Sequence, residues 1–95
     1  MTLEKTLNER GRNYGDFTTQ AQLAQSLKQV MVAHGMHQLK PFQRESLEMI
    51  QHKISRILNG DPNYVDSWDD IAGYALIVAE RLRKGVTNAT AGEEH

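Results

Sequence analysis

The sequence predicts an all-α protein, a small antiparallel helical bundle of three main helices plus a short N-terminal one. Three observations lead there. Apolar residues recur at three- and four-residue spacing in each long segment, no segment alternates apolar and polar residues as a strand does, and glycines or prolines stand where each periodic run stops.

The first block, Thr2 to about Arg10, offers only Leu3 and Leu7 for burial and stops at Gly11, so it is expected to be short and to dock on something larger. Tyr14-Gly15-Asp16 then forms a turn. The second block, about Thr19 to His34, carries Leu23, Ala24, Leu27, Val30 and Met31 on one helix face, with Gly35 placed to cap its C-terminus. Pro41 suits a first helical position, and Phe42, Leu47, Ile50, Ile54, Ile57 and Leu58 mark the stripe of a third block that ends at Gly60. Asp61-Pro62-Asn63 makes a tight connection to a fourth block capped by Asp66 or Ser67. Its expected inner face is Trp68, Ile71, Ala72, Ala75, Ala79 and Leu82, and it should end near Gly85. Residues 1–85 thus form one helical domain. Val86 to His95, rich in Thr, Ala, Gly and Glu, reads as a disordered tail.

Composition narrows the function. The 95 residues suffice for a single domain with a modest core. Eleven basic and twelve acidic residues leave a formal net charge of -1, without the basic stripe that nucleic acid as a partner would call for. There is no cysteine, hence no disulfide or thiolate metal site, which fits a reducing compartment. No leader-like or membrane-spanning run is present, so the expected location is the cytoplasm. His34, His37 and His52 do not share a helix at zinc-ligand spacing.

Besides its inner stripe the fourth block carries Tyr74, Ile77 and Val78 on other faces. A helix apolar on so many sides is usually covered on several of them, so the bundle is expected to be completed by oligomerisation, as a homodimer or higher homo-oligomer. Gly73 would allow another helix to approach closely.

The chemistry-bearing residues concentrate at one end of the hairpin formed by the third and fourth blocks. Antiparallel pairing places Asp69 and Asp70 near the level of Arg56, with Lys53 one turn further along. The plain explanation is an ion pair between Arg56 and one of these aspartates, with Asp66 and Asp69 compensating the helix dipole; an exposed pair contributes at most about 1 kcal/mol. More polar groups converge there than capping needs, however, which makes the cluster a candidate ligand site.

Tyr14-Gly15, Lys53-x-x-Arg56 and Asp66-x-x-Asp69-Asp70-Ile-Ala-Gly-Tyr74, in that order and spacing, resemble a family of small, largely uncharacterised bacteriophage and prophage proteins. The resemblance runs from about Arg10 to Leu82. It implies that Tyr14, Lys53, Arg56, Asp66, Asp69, Asp70 and Tyr74 belong to one shared feature, and that the cytoplasm in question is that of a bacterial host.

A more distant resemblance is to the MazG-type all-α NTP pyrophosphatases, which hold magnesium with one Glu-x-x-Glu and one Glu-x-x-Asp pair. Glu45-Ser-Leu-Glu48 would stand for the first pair and Asp66-Ser-Trp-Asp69 for the second. Such carboxylates are suitable hard ligands for magnesium, which would activate water and clamp the phosphates. Here Asp replaces Glu at the start of the second pair, and one hairpin separates the two pairs along its axis, so a shared metal needs different subunits or a strongly staggered hairpin.

Two functional expectations follow. The first is a phage accessory module that needs no cofactor and binds a nucleotide, a phosphate or a host protein through Tyr14, Lys53, Arg56, Asp69, Asp70 and Tyr74, with the cations on the anion and the tyrosines against a base. The second is a magnesium-dependent nucleoside triphosphate pyrophosphohydrolase using Glu45, Glu48, Asp66 and Asp69.

Overall fold

The computed structural model describes Thr2, Leu3 and residues 15–87. The expected short N-terminal helix, Tyr14 and most of the expected tail lie outside the described residues. Helix α1 (Phe17–Ala33) begins where Asp16, in extended conformation, accepts hydrogen bonds from the Thr19 N–H at 2.9 Å and the Thr19 hydroxyl at 3.1 Å. It ends at His34, followed by Gly35 in the left-handed region at φ 107°, and a 3₁₀ turn (Met36–Gln38) then buries Met36.

Helix α2 (Pro41–Asn59) opens on the proline whose missing N–H costs nothing at that position, and Gln43 Oε1 accepts from the Lys40 N–H at 3.0 Å. Across the connection Asp61 Oδ1 accepts from the Asn63 N–H at 2.9 Å, fixing a tight Asx turn. Helix α3 (Val65–Thr87) starts ahead of the expected cap. Asp66 therefore sits inside the first turn, against the positive end of the helix dipole, and the helix runs through Gly85 instead of stopping there. Among the described residues there is no strand, and no helix is long and apolar enough to cross a membrane.

Helix α2 is the middle element, packing on α1 along one side and, more extensively, on α3 along another. This arrangement explains which residues it buries. The two contact faces flank the apolar stripe read from the sequence, so Leu47, Ile54 and Leu58 remain exposed while Ser46, Gln51 and Ser55 are buried. Small side chains suit such positions because they let helix backbones approach. Ser55, fully buried, accepts from Gln20 Nε2 at 2.7 Å and donates to the His52 carbonyl at 2.7 Å. Ala24 and Met36 are the only buried apolar residues among the described ones.

The expected inner face of the fourth block needs correction. Helix α3 turns Ser67, Ile71, Tyr74 and Val78 toward the rest of the chain, with Ser67 only 3% exposed. Trp68 is 54% exposed and Leu82 42%, and Ala72 and Ala75 are exposed beside them. The packed face is rotated by about a quarter turn from the apolar stripe. Ile71 belongs to both faces, and with Tyr74 and Val78 it supplies the apolar part of the packed one, while Ser67 is its most buried residue.

Candidate functional site

The α2–α3 hairpin brings most of the predicted charged residues together. Lys53 Nζ lies 2.9 Å from Asp70 Oδ2; the lysine side chain is 13% exposed and the aspartate 47%. The sequence expectation had Arg56 as the cation facing Asp69 or Asp70. Helix rotation decides otherwise: Asp70 lies at the edge of the face packed on α2, whereas Asp69 follows it round to the exposed side. Arg56 stands one turn beyond Lys53, nearer the hairpin end, and is half-buried.

Asp69, Asp70, Gly73, Tyr74 and Ile77 line a shallow groove of about 180 Å³ on α3. Gly73 forms its floor. Nothing lies within 4 Å of where a Cβ at this position would sit, so the missing side chain leaves an open notch and not a contact with another helix of the chain. Residues at these spacings occupy adjacent turns of one helix face, which is why three of the predicted site residues, Asp69, Asp70 and Tyr74, converge. Gly73 and Ile77 were not in the predicted set. A glycine in mid-helix, where it weakens the helix by roughly 1 kcal/mol relative to alanine, was the available signal.

The Tyr14-Gly15 pair has a structural counterpart at its second residue. Gly15 adopts φ 84°, and a side chain there would strike the Asn59 carbonyl oxygen. Asn59 Nδ2 in turn donates to the Asp16 carbonyl at 3.0 Å. The chain entering α1 is thereby held on the C-terminal turn of α2, one turn beyond Arg56. At the same end Trp68 Nε1 donates to the Pro62 carbonyl at 2.8 Å, fastening the indole over the connection.

The four carboxylates of the metal expectation do not gather. Glu45 is exposed and Glu48 half-buried on α2, Asp66 and Asp69 are exposed on α3, and among the described residues no three His, Asp or Glu side chains are placed to hold a metal. The register set by Lys53 and Asp70 puts Glu48 near the level of Ala75, roughly 10 Å along the axis from the Asp66–Asp69 turn.

A family model described as a domain of unknown function, DUF6378, matches residues 2–82. The chain belongs to that family. No curated protein and no solved structure matches it. The DUF6378 match takes in both α2 and α3 up to Leu82, so the Lys53–Asp70 pair, the Gly73 notch and the Gly15–Asn59 contact all fall inside the family domain.

Proposed function

We propose that this DUF6378 member is a non-catalytic, phage-derived accessory module whose α2–α3 hairpin binds one small polar ligand, with nucleotides as the favoured class. The observation that carries the reading is the Gly73 notch, walled by Tyr74 and Ile77 and rimmed by Asp69 and Asp70. At about 180 Å³ it suits a single planar ring system, well below the pockets that enclose a whole drug-sized ligand. A base lying over Gly73 would meet the Tyr74 ring, and its amino group would donate to Asp69. Its phosphate would extend toward Arg56, whose guanidinium can bind it bidentately. Lys53 has a different role from the one its charge suggests: engaged by Asp70, it positions that carboxylate and does not grip the anion.

A thermal-shift screen with nucleosides, nucleotides and inorganic phosphate, each with and without magnesium, tests this. Ligand at a hundred times its Kd adds about 2.7 kcal/mol of stability, so a positive result is a clear rise in Tm that needs a base and is reduced in Arg56→Ala. The absence of any shift across the panel would remove the reading.

The pyrophosphohydrolase alternative stands on the MazG-type resemblance. It requires Glu45 and Glu48 of one copy to meet Asp66 and Asp69 of another around magnesium. Pyrophosphate release from nucleoside triphosphates, lost in Glu48→Gln, would establish it in place of simple binding.

A further inference from the structure

Trp68, Ala72, Ala75, Ala79 and Leu82 fall within an arc of about 80° on α3 at 100° per residue. Leu76, 53% exposed, lies at its edge. An open apolar face of this length on a small helical chain needs an occupant, and its own pattern specifies which one. We propose that α3 pairs antiparallel with α3 of a second copy of this chain, forming a two-fold symmetric dimer centred on Ala75.

A two-fold axis at Ala75 relates residues whose numbers are equally spaced on either side of it. Trp68 then meets Leu82 of the second copy, Ala72 comes within one residue of the level of its Ala79, and Ala75 faces its own equivalent. Large side chains close the two ends and alanines the middle, which allows the helices to approach closely where the axis passes. Charge obeys the same symmetry. Asp66 and Asp69 lie near the N-terminal end of α3, and Arg83 and Lys84 near its C-terminal end. Antiparallel pairing sets Asp69 near Arg83 on one flank of the stripe, the pair occurring twice as an isologous interface requires, whereas Asp66 and Lys84 lie on the far side of α3 from it. Parallel pairing would instead oppose acid to acid and base to base. Trp68 is held in place by the Pro62 carbonyl, so a large aromatic anchor is already oriented before the second copy arrives.

The dimer also answers the composition of the interior. With Ala24 and Met36 as the buried apolar residues and Gln20, Ser46, Gln51, Ser55 and Ser67 as the buried polar ones, the described part of the chain leaves many of its large apolar side chains exposed. Pairing α3 with α3 covers the longest such stripe, and the exposed Leu47, Ile54 and Leu58 of α2 border the hairpin it belongs to. Apart from Asp69, which borders both, the residues of the Gly73 notch lie on a different face of α3, so this interface does not require the ligand reading.

The chain has one tryptophan and no cysteine, which makes the test direct. Sedimentation of the full chain should give twice the chain mass of 10.8 kDa, with tryptophan emission shifting to the red as dilution dissociates the dimer. Ala75→Glu should weaken association by roughly a hundredfold or more while circular dichroism stays helical. Asp69→Arg should weaken it too, and adding Arg83→Asp should restore it. Should Ala75→Glu fail to fold, engineered cysteines decide: Ala75→Cys should oxidise rapidly to a covalent dimer, and Ile77→Cys, equally exposed on the groove side, should not. A wild-type chain that stays monomeric over a wide concentration range, a dimer indifferent to folded Ala75→Glu, or equal cross-linking of the two cysteines would each overturn the proposal.

Discussion

Lys53 Nζ sits 2.9 Å from Asp70 Oδ2, joining the middle of α2 to the second turn of α3 with the lysine largely buried and the aspartate about half open to water. The pair fixes both the register of the hairpin and the position of one carboxylate at the rim of the Gly73 notch. Because Asp70 is well solvated, its coupling to Lys53 should be modest, about 0.2–1 kcal/mol. A double-mutant cycle with Lys53→Met and Asp70→Asn, read by urea denaturation, measures it. Coupling indistinguishable from zero would mean that the two charges do not hold the hairpin.

Gly15 and Gly73 should respond in opposite directions to the same substitution. Gly15→Ala places a methyl group against the Asn59 carbonyl in a backbone conformation that L residues rarely adopt, and should cost about 2–4 kcal/mol.

Gly73→Ala meets open space in a helix interior, and should stabilise the free protein by roughly 0.5–1 kcal/mol. By filling the notch it should also weaken ligand binding. Higher Tm together with lower affinity is the expected combination in calorimetry, and a Gly73→Ala protein that binds as well as wild type would remove the notch from the site.

Gln51 is 3% exposed, and neither end of its side-chain amide has a hydrogen-bond partner. Burying an unsatisfied amide costs about 1–3 kcal/mol, so Gln51→Met, of similar length and without that penalty, should be neutral or stabilising. A marked loss of stability in chemical denaturation would show that the amide is satisfied and structural.

The helix ends were legible in the sequence wherever a residue has a single physical use. Pro41 can open α2 and cannot continue a helix, Gly35 supplies the left-handed residue after α1, and Gly60 follows the last turn of α2. The rotation of α3 was not legible, because the helix carries apolar residues on more than one side, and its longest stripe and its α2-facing side are different faces. The same rotation decided that Asp70 and not Asp69 would take the cation, and that the cation would be Lys53. Asp69, Asp70 and Tyr74 were recoverable as a group because one helix carries all three at neighbouring positions. The buried Gln20–Ser55 contact was not, since nothing in a polar side chain's identity announces that a partner 35 positions away will satisfy it.

The most direct test of the ligand site is a nitrogen-15 NMR titration of the full chain with adenosine and guanosine nucleotides. Binding in the Gly73 notch predicts saturable shifts concentrated on the backbone amides of Asp69, Asp70, Gly73, Tyr74 and Ile77, with Arg56 responding to nucleotides and not to nucleosides. Spectra unchanged by every nucleotide, or shifts confined to the outer face of α1 around Lys28 and Val32, would contradict it.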